Sequence, residues 1–190
     1  MTGDEQRVVE GLQRGEIWAF HELVELYKKK VYYLALDMTG NHHDAEDTSQ
    51  EVFMKAFASM KAFRGDAKLS SWLHRITVNA CIDRTRKRPL QLVEIDAKDS
   101  FDAVAIDRNP EQIMQEKSMQ AVIDTAINTL PPQQKSIFVL RHYNDLMLRE
   151  IAEVLQISEG TVKAQLFRAI RKLQKQLAPF QKKQRSVSNE

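Results

Sequence analysis

The chain has 190 residues, of which 43% are hydrophobic and 28% charged, with a formal net charge of +2. That length supports a buried core in one or two domains. No apolar run approaches the roughly 20 residues of a membrane span, and the charged start "MTGDEQRVVEGLQRGE" lacks the apolar stretch of a secretory leader. Cys81 is the single cysteine, which excludes an internal disulfide and fits a reducing cytoplasm with no membrane insertion. Alone, such a thiol reads as a small buried hydrophobe.

Helical periodicity dominates the pattern. A short first helix is expected from Glu5 to Arg14, stopped by Gly15. The next runs from Ile17 to Met38, with Ala19, Phe20, Leu23, Leu26, Tyr27, Val31, Leu34 and Ala35 along one side. "TGNHHD" ends it with Gly and Asn and offers Asn or Asp as a cap. A third helix, Asp44 to Met60, turns Val52, Phe53, Ala56, Phe57 and Met60 inward. "KAFRGDAK" reads as a loop. The fourth helix, Ser70 to Arg86, is buried through Trp72, Leu73, Ile76, Val78, Ala80 and Ile82.

Leu90 to Asn109 shows no sustained period and many acids, the signature of a linker. A helix follows from Glu111 to Thr129, "LPPQQ" breaks it, and Pro131-Pro132 initiates another through His142. The last two helices span Leu148 to Leu155 and Ser158 to about Leu177. No strand pattern or internal repeat is evident. The expectation is an all-α chain of two helical domains: residues 1–89, an acidic linker over 90–115, a second domain over 116–178 and a polar tail over 179–190.

The small net charge conceals a partition. Lys61 to Arg88 holds eight Lys/Arg and two acids, Leu92 to Glu116 holds seven acids against Lys98 and Arg108, and Gly160 to Arg185 holds eight Lys/Arg and no acid. Two polyanion-facing bodies joined by an acidic strap is the physical reading.

In "LREIAEVLQISEGTVKAQLFRAIRKL", Ser158 is placed as an N-cap and Glu159 suits the positive helix end. Val162, Leu166, Ile170, Leu173 and Leu177 form a buried stripe. Lys163, Phe167, Arg168, Arg171 and Lys175 project to the other side. With Ile151, Ala152 and Leu155 inward on the preceding helix, this is a helix-turn-helix pattern, whose second helix enters the major groove. A solvated amphipathic helix is the bland alternative. However, solvated faces mix charge signs, and an exposed Phe167 suits a thymine methyl.

The first basic block, "FRGDAKLSSWLHRITVNACIDRTRKRP", carries a polar stripe of Arg75, Asn79 and Asp83 and ends in Arg84, Arg86, Lys87 and Arg88. Phe63 stands next to Arg64 in the loop before it. A basic groove with an aromatic beside it is how single-stranded nucleic acid is commonly held, and Asn pairs well with a base edge. Trp72, spaced with Leu73 and Ile76, reads as core.

Three ordered blocks, "DAEDTSQEVFMKAF", the basic block above and "LPPQQKSIFVLRHYNDLMLREIAEVLQISEGTVKAQLFRAIRKL", resemble a bacterial RNA polymerase sigma factor of the small extracytoplasmic-function (ECF) group. The resemblance covers about Val9 to Leu177. It implies a protein without catalytic residues or cofactor that binds core RNA polymerase and promoter DNA, and that is held by a cognate anti-sigma factor. By this resemblance Asp44, Asp47, Gln50 and Glu51 face the β′ clamp helices of the polymerase, and the second domain sits on its β flap. Phe63, Arg64, Arg75, Ile76, Asn79, Arg84, Arg86 and Arg88 would hold the melted −10 strand. Arg149, Thr161, Lys163, Ala164, Phe167, Arg168 and Arg171 would contact the −35 duplex. One departure matters: only Phe63 and Trp72 are available as melting aromatics, which implies weaker strand opening and a need for near-consensus promoters. Three rivals read the residues differently: a helical metal-dependent hydrolase using His42, His43, Asp44, Asp47 and Glu51; a response regulator, which would need a strand-rich receiver domain; and an adaptor that sequesters a partner by helix docking, which leaves both basic faces unexplained.

Overall fold

A computed structural model describes residues 3–60, 63, 68–87 and 110–187. Among them every element is a helix: α1 (Gly3–Gln13), α2 (Ile17–Thr39), α3 (His42–Ser59), α4 (Leu69–Lys87), α5 (Pro110–Asn128), α6 (Pro132–His142), α7 (Leu148–Leu155) and α8 (Glu159–Val187). Of the expected linker over 90–115, residues 90–109 lie outside the described residues, as do the tail after 187 and the side chains of Arg64 and Arg88; residues 110–115 are instead the first part of α5.

The helix boundaries follow local chemistry. Gly40 ends α2 in the left-handed region at φ 72°, its N–H donating to Leu36 O, a conformation that costs glycine little. Asn41 then caps α3 by accepting from the Asp44 N–H at 2.9 Å. Pro132 opens α6, where its missing N–H costs nothing. The sharp turn after α7 uses a non-glycine, Gln156, at φ 56°. Its own amide donates to Glu153 O at 2.9 Å, which offsets part of the left-handed cost.

Helices α1 to α4 share one core in which Val8, Leu12, Leu23, Val52, Leu69 and Leu73 are buried. Leu26 and Phe57, expected inside, are substantially exposed. Phe57 instead lies edge-on against Phe20 with ring centroids 4.9 Å apart. Trp72 is buried, as its spacing suggested. A further core beneath α8 is built from Ala126, Ile127, Leu130, Ala169 and Leu173. Within α8 the buried line runs through Val162, Ala169 and Leu173, with Leu166, Ile170 and Leu177 at its half-buried margins. On α7, Ile151 and Val154 point inward while Ala152 and Leu155 are half-buried.

Two differences from the sequence reading stand out. First, α8 continues past Leu177 and through Pro179 to Val187. Proline removes one backbone bond, yet the Gln- and Lys-rich segment around it consists of good helix formers. Second, the two domains are not separate bodies. Leu34, Met38 and Val78 share a cluster with Ile137, Leu140 and Ile151. Lys68 bridges to Glu150 of α7 at 3.4 Å, and Lys135 of α6 donates to the Met38 carbonyl of α2 at 2.5 Å. Cys81 is buried in the same shared cluster, and burial pushes its thiol up to about 12.

Candidate nucleic-acid interface

The C-terminal face is built by the α7–turn–α8 unit. Glu150 accepts from the Met147 N–H at 2.9 Å and so closes the start of α7; this bond holds its carboxyl below the usual range. Ser158 accepts from the Thr161 N–H at 3.1 Å, and the two hydroxyls lie 2.8 Å apart. Thr161 is therefore half-buried and engaged in the cap. Beyond it Lys163, Ala164, Phe167 and Arg168 are exposed on one side of α8. Phe167 is 59% exposed and carries the Arg171 guanidinium over its ring at 4.9 Å. Lys163 pairs with Glu159 at 3.0 Å across one exposed turn. Arg149 is exposed at the first turn of α7. Lys172, one of the cations of the acid-free stretch, serves differently: its ammonium donates to the Thr129 carbonyl at 2.6 Å, tying α8 to the end of α5.

The N-terminal face lies on α4. Asn79, Asp83 and Arg86 are exposed, and Arg75 and Ile76 are half-buried. Two expected members of this face are elsewhere. Phe63 is only 6% exposed: it packs against Trp72 with ring centroids 5.1 Å apart, and its carbonyl accepts from Gln13 of α1 at 2.6 Å. A ring of that size gains more from the core than from water. Arg84 turns toward α3, where Nε reaches Asp44 Oδ1 at 3.0 Å and Nη2 reaches Asp44 Oδ1 at 2.9 Å and Asp47 Oδ2 at 2.8 Å. The Asp47 bond, joined by Asp44, holds the guanidinium charged more firmly than usual, against the effect of burial.

That fork also changes the acidic stripe on α3. Asp44 is 6% exposed and belongs to the interior. Asp47, Gln50 and Glu51 remain at the surface and line a shallow groove of about 400 Å³ with Met54, Lys55 and Ala58. Met54, 72% exposed, was missed in the sequence because a single apolar residue on a polar side carries no periodic signal. Glu51 and Lys55 pair at 2.6 Å. Among the described residues no group of three His, Cys, Asp or Glu side chains is placed to hold a metal, since His42 Nδ1 meets the Tyr32 hydroxyl at 2.6 Å and Asp44 meets Arg84.

Residues 23–89 match Sigma-70 region 2 and residues 120–173 match Sigma-70, region 4. The chain is 33% identical over 176 residues to the ECF RNA polymerase sigma factor SigW of Bacillus subtilis, spanning 89% of this chain and 94% of that protein. This chain belongs to the ECF RNA polymerase sigma factors. Such a factor supports promoter-specific transcription initiation. The fold is also that of CnrH, solved with the cytosolic domain of CnrY (TM-score 0.68, 21% identity, 93% of this chain and 98% of that one). It likewise resembles the sigma factor RpoE of Bartonella quintana, solved with the anti-sigma factor NepR (TM-score 0.61, 24% identity, 84% and 96%). In this sigma factor the α3 groove falls inside the region 2 match and the α8 face inside the region 4 match. Helix α1 lies outside both.

Proposed function

We propose that this sigma factor docks on the polymerase β′ clamp helices through the α3 groove and reads promoter DNA with two separate faces. Asp47 and Glu51 offer carboxylates to a basic partner helix, Gln50 a neutral hydrogen-bonding group and Met54 an apolar anchor, a combination suited to the centre of an interface. On α4, Asn79 is the base-reading group, flanked by Arg75 and Ile76, with Arg86 on the phosphates. On α8, Lys163, Ala164, Phe167 and Arg168 face the −35 base edges, while Arg149 and Arg171 hold phosphates. Phe63 supports its loop from behind, and Arg84 joins α4 to the docking helix. Thr161 shapes the helix start. A groove of about 340 Å³ between α5 and α8, lined by Val122, Ala126, Leu177 and Phe180, is where the β flap would rest.

The observation that carries this reading is the exposed cationic side of α8, opposed among the described contacts by Glu159 alone, and capped and aimed by a helix-turn-helix unit. The protein supplies no catalytic group of its own and works in the cytoplasm beside the polymerase; no helix among the described residues is long and apolar enough to cross a membrane. An anti-sigma factor is the expected regulatory partner, as in the Bartonella complex. Reconstituted transcription tests the whole. Core polymerase plus this protein on a pool of random promoters should enrich templates sharing two blocks, near −10 and −35. Recovery of templates with one block or none would overturn two-point recognition.

A further inference from the structure

The seam between the domains has a polar end as well as an apolar middle. At that end Lys135 of α6 donates both to the Met38 carbonyl and to Asn128 Oδ1, at 2.5 and 2.6 Å. Met38 lies in the last turn of α2, so an ammonium from the other domain caps the negative end of this helix. Asp37, the neighbouring residue, is half-buried; Asn144 donates to its carboxyl, and Asp124 of α5 and Lys135 of α6 face it. Tyr143 stands near both acids, and Cys81 of α4 faces Lys135.

This closed form does not match the span of a promoter. Elements centred near −10 and −35 lie about 25 base pairs, or roughly 85 Å, apart on B-form DNA. Two packed bodies of this size have centres only about 30 Å apart. The end of α4 at Lys87 and the start of α5 at Pro110 are joined by 22 residues, a covalent reach of up to about 75–80 Å. The seam must part before both faces are used.

We propose that the cluster of Asp37, Lys135 and Asn128 is a latch that holds the free protein closed, is tightened by a proton on Asp37, and is released before both promoter elements are engaged. This rests on the two-face reading above. Burial, aided by Asp124 and opposed by Asn144 and Lys135, raises the Asp37 carboxyl from 3.8 to about 6. A raised value means that the closed state prefers the protonated acid. The stabilisation is present at low pH and is lost as pH rises through about 6. Burial lowers Lys135 to about 8, against the pull of Cys81, Asp124 and Asp37, so its buried charge opposes closure below that value. Between about 6 and 8 both charges are present and closure is at its weakest. At the other end of the seam His74, facing Lys30 and Glu150, is held below its ordinary value by burial. Its protonation favours opening, so the test must separate the two groups.

Small-angle scattering of the full free chain at pH 7.5 and 5.5, for wild type and Asp37→Asn, makes that separation because His74 is common to both. The neutral amide mimics the protonated acid, so at pH 7.5 the variant should be the more compact. At pH 5.5 the gap should narrow without closing, the closed-to-open ratio of wild type rising about fourfold relative to the variant. Asp37→Ser, also uncharged, should repeat the result. Equal radii of gyration at both pH values, a gap that does not narrow with acid, or a wild-type chain extended throughout would each overturn the latch. Polymerase and DNA are absent from this measurement, so its failure would leave the transcription reading standing.

Discussion

The two basic regions treat their charges in opposite ways. At the end of α4 the guanidinium of Arg84 is taken up by Asp44 and Asp47, an arrangement that joins two helices inside one domain. On α8 the cations at Lys163, Arg168 and Arg171 stand in water, opposed there only by Glu159 and the face of Phe167 among the contacts described. A run of Lys and Arg is therefore not one kind of object. Where carboxylates on a neighbouring helix reach it, it is scaffold; where none does, it is free to meet a polyanion.

Breaking the scaffold side should have the largest effect. Arg84→Ala removes the cation that faces the buried Asp44 carboxylate and should cost about 2–3 kcal/mol, somewhat less than a fully buried pair because the guanidinium is partly exposed. A fall of roughly 5–10 °C in melting temperature checks this. An unchanged melting temperature with a selective loss of −10 strand binding would return Arg84 to the DNA face. On the free side, Arg168→Ala should leave stability intact. It should weaken recognition at one or two −35 positions by ~1–3 kcal/mol, measured across single-base promoter variants. A uniform loss across all variants would make Arg168 a phosphate clamp. The smallest effect belongs to Glu159→Gln, which releases Lys163 from an exposed pair of at most about 0.5 kcal/mol. Duplex affinity at low salt should rise modestly and its salt dependence steepen. Unaltered salt dependence would place Lys163 away from the phosphates.

Much of the fold was legible because helix signals are local. Gly40, Asn41, Pro132 and Ser158 mark boundaries through their own backbone chemistry, and α7 begins and ends where its apolar spacing says. The all-helical class and the outward side of α8 follow from the same periodicity. What escaped was long-range. Nothing near Arg84 in the chain announces that Asp44 and Asp47, about forty residues earlier, will meet it. Phe63 next to Arg64 looks like an exposed loop aromatic until Trp72 and α1 enclose it. A buried stripe also reveals that a side is covered but not by what, which is why Met38 and Val78 gave no hint that Ile137 and Ile151 would cover them. The acidic strap drew attention to separation, whereas the apolar surfaces on either side of it favour association.

The bond from Gln13 to the Phe63 carbonyl gives α1 an importance its position would not suggest. Helix α1 precedes the region 2 match, yet through Gln13 it braces the backbone at Phe63, as a buttress behind a wall. If α4 reads the −10 strand as proposed, fidelity at the start site would depend partly on masonry at the far end of the chain. On that reading, shortening the N-terminus to a minimal binding module would keep every proposed DNA-facing side chain and still blur what they read.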